Sequence, residues 1–398
     1  MSEHRKLFQS YNFMKILITT DLFTTTTNGV VTSVNNLCDE LTKRGHEVRI
    51  LTLSQSAHSR KEGSVSYIRS MPFPVYPNIR MPLTLSHKLV RELIDWKPDL
   101  IHSQCEFFTY SYAKKISKMT GAPIIQTYHT MYEQYVTYVI PFKRLGATII
   151  RKWIRRRLKK AACVIAPTKK VQQSLESYRL VPPIEVIPSG INLEQHKTRI
   201  PKAERLSMRQ KLEIPNDAFV LINLGRLGGE KNLGELIRYF SVAHSSNPNL
   251  RLMIVGDGPA RNDLEKLSES LGLSKKVIFT GMVDPKQVHY YYQLGDLFVS
   301  ASTSETQGLT YVEAAANGLP LLCRRDPCLE DILAEGQSGY AYSTEEEFLN
   351  YLESIVKNPA WHVFASDQSR KLAMRFDKGY FGETAEALYQ RVLEQQKR

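Results

Sequence analysis

Short apolar runs alternate along the chain with stretches in which apolar residues recur every three or four positions. Lys15-Ile16-Leu17-Ile18-Thr19-Thr20 has the length and β-branched content of a buried strand. From Thr32 to Gly45 the period changes: Val34, Leu37, Cys38 and Leu41 share one helical face, and Gly45 supplies a stop. Strands are then predicted at 48–52, 100–102, 123–127 and 163–166. The alternation restarts with a strand at Phe219–Leu224 and a helix over Asn232–Ser245. Further strands follow at Leu250–Val255, Val277–Thr280 and Leu297–Ser300. Such strand–helix–strand repeats predict parallel sheets with helices on both faces.

The polar stretch from Asn192 to Ala203 separates the two series, and 398 residues are too many for one core. The reading is therefore α/β, with two Rossmann-like doubly wound domains over 1–196 and 197–378. A closing helix over 379–398 has no strand after it and is expected to return to the first domain. Two such domains are expected to hold a ligand in a cleft at the carboxyl ends of their strands.

Composition is that of a soluble globular chain, with 42% apolar and 23% charged residues. It has no run of about 18 apolar residues, so no spanning helix is expected. The first thirteen residues lack an apolar stretch of signal-peptide length. Five scattered cysteines without metal-ligand spacing read as free thiols in a reducing cytoplasm. The net charge of +13 is uneven: residues 1–200 hold 30 Lys and Arg against 14 Asp and Glu, whereas the remainder holds 23 against 26. A basic first half points to an anionic partner, nucleic acid or anionic lipid.

The candidate chemistry lies mostly in the second half. Glu305 and Glu313 flank the glycine loop Thr306-Gln307-Gly308-Leu309-Thr310, which follows a strand and opens a helix. Backbone amides at a helix start can hold phosphate, and carboxylates accept from sugar diols. Gly225-Arg226-Leu227-Gly228-Gly229-Glu230-Lys231 places two cations after another strand, a fork and a point charge for phosphate. Gly256-Asp257-Gly258-Pro259 is a third loop of this kind, and a plain turn explains it equally well.

In this order the three segments resemble the retaining family-4 glycosyltransferases, which have the GT-B fold. Asn28-Gly29-Val30-Val31, Arg44-Gly45-His46-Glu47-Val48 and Glu330-Asp331-Ile332 extend the likeness over nearly the whole chain from Met14. The resemblance implies that Arg226 and Lys231 neutralise the leaving diphosphate, and that Glu305 binds hydroxyls of the transferred sugar. It implies that Glu313 binds the ribose, and that Met282 and Val283 meet the base. It also places backbone around Gly308 and Leu309 on sugar and phosphate, and Gly29 and Gly256 in loops at the donor. His129, in Thr127-Tyr128-His129-Thr130, would face the reacting sugar from the first domain. Retention with the leaving phosphate as base is likewise implied. Without an Asp-x-Asp motif near the site, two fixed cations replace a metal, so no metal and no permanently bound cofactor is expected.

The acceptor side rests on Ile149-Ile150-Arg151-Lys152-Trp153-Ile154-Arg155-Arg156-Arg157-Leu158-Lys159-Lys160. Ile150, Trp153, Ile154 and Leu158 fall on one face of a strongly basic helix, the pattern of a membrane-surface binder. The same pattern fits a helix packed on its own domain with a solvated basic side. Tyr128, Tyr132, Tyr135, Tyr138 and Phe142, just before it, suit a lipid-facing groove, and a core stripe would explain some of them as well. Here the chain resembles bacterial diacylglycerol glucosyltransferases, through His129-Thr130-Met131-Tyr132-Glu133-Gln134-Tyr135 and the segment from Ser300 to Tyr311. That likeness implies transfer of glucose from UDP-glucose to diacylglycerol, peripherally on the cytoplasmic face of the cell membrane. Another hexose, another glycolipid, phosphatidylinositol or a glycan remains open as substrate. A nucleic-acid-binding protein or a non-catalytic sugar-nucleotide sensor are the readings of another class.

Overall fold

The structure is a computed structural model that describes residues 13–23, 29–73, 80–135 and 143–397. The chain divides into unit 1, Met1–Gly190 with Gly379–Arg398, and unit 2, Ile191–Lys378. The stretch expected to be a linker holds the helix Leu193–Lys197 and belongs to unit 2, where Leu193 joins the core.

Unit 1 is built on strands β1 (Lys15–Thr20), β2 (Glu47–Leu53), β3 (Arg60–Glu62), β4 (Val65–Ile68), β5 (Ser70–Pro72), β6 (Arg80–Pro82), β7 (Leu100–Ser103), β8 (Ile124–Thr127), β9 (Cys163–Ala166) and β10 (Ile184–Val186). The main sheet runs β10-β9-β8-β7-β1-β2-β4-β3, parallel except for the edge strand β3. β5 and β6 form a separate antiparallel pair. Apolar side chains fill both faces of the sheet, which is why its central strands read as unbroken apolar runs.

The helix Lys378–Lys397 covers one of those faces with Phe381, Ala385, Leu388, Tyr389 and Val392. A Cβ on Gly382 would lie 2.6 Å from Cβ of Glu40, so glycine is needed where this helix meets Gly29–Lys43. His46 accepts from the Met14 amide at 3.3 Å and donates through Nε2 to the fully buried Glu386, 2.7 Å away. Arg44 bonds the other oxygen of Glu386 at 3.2 Å. The Arg44-Gly45-His46 motif is thus the socket of the closing helix.

Unit 2 carries β11 (Phe219–Leu224), β12 (Leu250–Val255), β13 (Val277–Gly281), β14 (Leu297–Ser300), β15 (Leu321–Arg324) and β16 (Gly339–Tyr342). Its order is β13-β12-β11-β14-β15-β16, with every pair parallel. The direction of winding reverses between β11 and β14. Loops leaving these neighbours turn to opposite faces and open a crevice at their carboxyl ends.

Candidate active site

In unit 2 the loops after β11 and β14 flank that crevice. Gly225 and Gly256 have φ of 149° and 130°, and a Cβ on Gly256 would lie 2.0 Å from the Gly225 carbonyl oxygen. The Leu227 amide donates to Asp257 O at 3.0 Å, and the Ala260 amide to Leu227 O at 2.9 Å. The Gly256–Pro259 loop is therefore zipped onto the Gly225–Leu227 loop. This close approach accounts for Gly256 as a packing residue.

Lys231 ends the short turn Gly229–Lys231 and reaches across to the β14 loop. Its Nζ lies 2.5 Å from Glu305 Oε1, and Ser302 Oγ donates to the same oxygen at 2.8 Å. Ser304 Oγ donates to the Glu230 carbonyl at 3.2 Å, which stitches the two loops together. The Arg226 guanidinium pairs with the Glu230 carboxylate and keeps about half its side chain, 52%, in solvent. Both expected cations thus carry carboxylate partners at the crevice, a pairing that the sequence did not reveal.

Gly308 takes φ 72°, and a Cβ there would lie 2.7 Å from the Tyr311 ring. The helix Leu309–Ala316 starts at once, without a capping side chain. Tyr311 and Val312 amides bond back to Gly308 O, while the Leu309 and Thr310 amides have no intrahelical acceptor. These amides and the helix dipole favour an anion. Glu313, one turn on and partly buried, accepts at Oε2 from Tyr292 Oη at 2.9 Å. Burial pushes its carboxyl up to about 7, against the opposing pull of the Tyr292 bond. Thr306 is partly exposed and Gln307 buried in the loop between the two glutamates. Met282, 72% exposed, follows β13 at the same end of the sheet, while Val283 packs on the core.

In unit 1, His129 follows β8 and lies partly buried, with Nε2 donating to Gln104 Oε1 at 2.7 Å. Burial pulls its imidazole down to about 4, so it is neutral at physiological pH. Gly29 opens the first helix; Asn28, Tyr138 and Phe142 lie outside the described residues. Tyr135 ends the short helix Tyr132–Tyr135. Tyr132 Oη donates to the buried Glu106 at 2.5 Å, and Gln126 Nε2 donates to its other oxygen at 3.0 Å. Desolvation raises Glu106 to about 8, more than these bonds lower it.

The basic helix Lys143–Leu158 corrects the expectation in part. Ile154 and Leu158 are fully buried in the unit 1 core, and Ile150 and Trp153 pack against it. Trp153 stacks on Phe107 at 5.1 Å. Arg157 donates to the Glu106 and Phe107 carbonyls and to Ser111 Oγ. These side chains hold the helix to its own domain, because an apolar stripe gains more from a core already at hand. Arg151, Lys152, Arg155, Arg156, Lys159 and Lys160 stay exposed, Arg151 paired with Glu133. Among the described residues no helix is long and apolar enough to cross a membrane.

The family model described as Glycosyltransferase Family 4 matches residues 27–195, and that for Glycosyl transferases group 1 matches residues 204–375. Alpha-monoglucosyldiacylglycerol synthase of Acholeplasma laidlawii is 33% identical over 391 residues, 94% of this chain and 96% of its own. The chain belongs to glycosyltransferase family 4. The synthase of the same name from Streptococcus pneumoniae is also 33% identical, over 87% of this chain and 79% of its own. Among solved structures, Anabaena HepE in complex with UDP-glucose superposes with a TM-score of 0.74 at 18% identity, over 94% of this chain and 99% of its own. WaaG, a glycosyltransferase of lipopolysaccharide biosynthesis, gives 0.70 at 19%, over 94% and 99%. The fold is GT-B, as expected, and the protein is a glycosyltransferase.

In this glycosyltransferase unit 2 gathers Lys231, Glu305, the Leu309 and Thr310 amides and Glu313 around one switch point. Sequence reasoning missed Tyr292, Ser302, Glu230, Gln104 and Glu106. They are polar residues whose partners lie 20 or more positions away, apart from the local Ser302–Glu305 and Arg226–Glu230 pairs. No periodicity marks such residues. Only Tyr292 had a local sign, the run Tyr290-Tyr291-Tyr292.

Proposed function

We propose that this glycosyltransferase transfers glucose from UDP-glucose to diacylglycerol, with retention, as a peripheral enzyme on the inner face of the cell membrane. The observation that carries the reading is the 33% identity to the Acholeplasma laidlawii synthase over 94% of the chain. The geometry of unit 2 supports it. Breaking the sugar–phosphate bond leaves negative charge on the diphosphate and positive character on the sugar. The Leu309 and Thr310 amides, with Arg226 and Lys231, would take up the first with little reorganisation. Arg226 would exchange Glu230 for phosphate, and Lys231 would hold both Glu305 and the diphosphate. Glu305 would bind sugar hydroxyls, Glu313 the ribose, and Met282 and Val283 the base. From unit 1, neutral His129 would meet the sugar as a hydrogen-bonding group, and Tyr132 would line the acceptor site. Gly29 would open the approach to the diphosphate. The exposed cations of the basic helix would lie against anionic lipid, at about 1 kcal/mol each. No metal is assigned a step.

The test is incubation of the purified chain with UDP-glucose and diacylglycerol in anionic vesicles containing EDTA. Glucosyldiacylglycerol is expected. Product only from another hexose donor or another acceptor would sink the substrate assignment, and product only after magnesium is added would sink metal independence.

A further inference from the structure

Glu313 can serve a ribose only as a carboxylate held in one orientation, because the two vicinal hydroxyls both donate and must find acceptors together. A glutamate side chain is otherwise free to rotate, and ordering it on binding loses part of the affinity. Among the described residues, Tyr292 is the one side chain that hydrogen-bonds this carboxylate. It does so from a separate element, the short helix Val288–Tyr292, with its ring fully buried 6.3 Å from that of Phe298. The same hydroxyl lies 3.3 Å from the Thr310 carbonyl, in the first turn of the helix that carries Glu313. The hydroxyl has one proton to give, and the shorter contact takes it to the carboxylate, so a rigid core aromatic holds Glu313. The bond uses Oε2 and leaves Oε1 as acceptor.

We propose that Tyr292 is a positioning residue that fixes the Glu313 carboxylate for a ribose diol and so makes the donor site selective for a ribonucleoside diphosphate over a deoxynucleoside one. The inference rests on Glu313 being the ribose ligand. Tyr292 touches no reacting atom; it acts through Glu313. Its loss should therefore be felt only by ligands that carry the diol.

The experiment measures the Kd of UDP and of 2′,3′-dideoxy-UDP by calorimetry on the full chain, the Tyr292→Phe variant and the Glu313→Gln variant. Phenylalanine keeps the ring in the core, and dideoxy-UDP binding reports that the site is folded. The unaltered chain is expected to prefer UDP. Tyr292→Phe should lower that preference about tenfold, the scale of one hydrogen bond to a charged group, with dideoxy-UDP affinity unchanged. An unaltered preference in Tyr292→Phe, or equal weakening of both nucleotides, overturns the inference provided Glu313→Gln does lose the preference. Full preference in Glu313→Gln, or none in the unaltered chain, overturns instead the assignment of Glu313 to the ribose.

Discussion

At the scale of single residues, the site is a set of charges whose partners are already in place. Glu305 has Lys231 and Ser302 on one oxygen, so a neutral replacement loses the anchor of Lys231 and, in the role proposed for it, the acceptor for sugar hydroxyls. Glu305→Ala and Arg226→Ala should each reduce transfer by at least about a hundredfold with unchanged circular dichroism, the scale of losing one transition-state contact. Retained turnover in either variant would remove that residue from the mechanism. Glu313 adds a pH dependence. Its carboxyl is raised to about 7, so it becomes neutral as pH falls through that value and, in the role proposed for it, a poorer acceptor for the ribose diol. KM for UDP-glucose should rise several-fold between pH 8 and pH 6, a rise that Glu313→Gln abolishes. Glu106 acts on stability with the opposite sign from an ion-paired carboxylate. Its folded pKa is about 8, against an ordinary 4.5, so between those values the folded state holds the extra proton. Stability contributed by that proton is present at low pH and is lost as pH rises through about 8. Thermal melting followed from pH 5 to pH 9 should fall with pH, and Glu106→Gln should flatten the curve.

The basic helix shows how one element serves two surfaces. Its apolar stripe and Arg157 belong to the core of unit 1, while the other cations face solvent. The two groups separate by experiment. Arg157→Ala strands two backbone carbonyls and Ser111, and should destabilise the protein by about 2 kcal/mol, read as a lower melting temperature. Replacing Arg155, Arg156, Lys159 and Lys160 with Ser should leave melting unchanged and weaken binding to anionic vesicles at least about tenfold. Vesicle binding that survives the fourfold replacement would make this face an ordinary solvated surface. The closing helix is another element whose role lies in packing. Glu386→Ala leaves Arg44 and the buried His46 without their carboxylate, which should cost about 3–5 kcal/mol. Calorimetry should show the loss as a lower unfolding temperature.

Across the whole chain, two sheets, parallel but for the edge strand β3, are each wound in two directions, and in unit 2 the reversal between β11 and β14 places the charged loops. Unit 1 is completed by the end of the chain, since Phe381, Leu388 and Tyr389 fill a face of its sheet and Tyr389 Oη hydrogen-bonds the buried His102 at 2.6 Å. A chain truncated after Lys378 should therefore lose the cooperative unfolding of unit 1, while one carrying the helix keeps it. The parallel α/β class was legible early, because strands buried on both faces must be apolar throughout, as β1, β11 and β12 are. β15 and β16 escaped notice, since Pro320 and Gly339 make short runs read as turns.

The alternation of strands and helices, the restart near residue 219, the glycine loops at strand ends and the types of charge they carry are all legible along the chain. These are local properties, written in spacing and side-chain chemistry. Folding settles which carboxylate meets which cation, that Gly256 serves a backbone approach, that Tyr292 holds Glu313, and that the basic helix turns its apolar stripe inward. Apart from the Arg226–Glu230 pair, four positions apart, each depends on residues far apart in sequence meeting at the carboxyl end of a sheet or across a core. Burial there sets the protonation of Glu106, His129 and Glu313, and no local pattern encodes burial of a polar side chain.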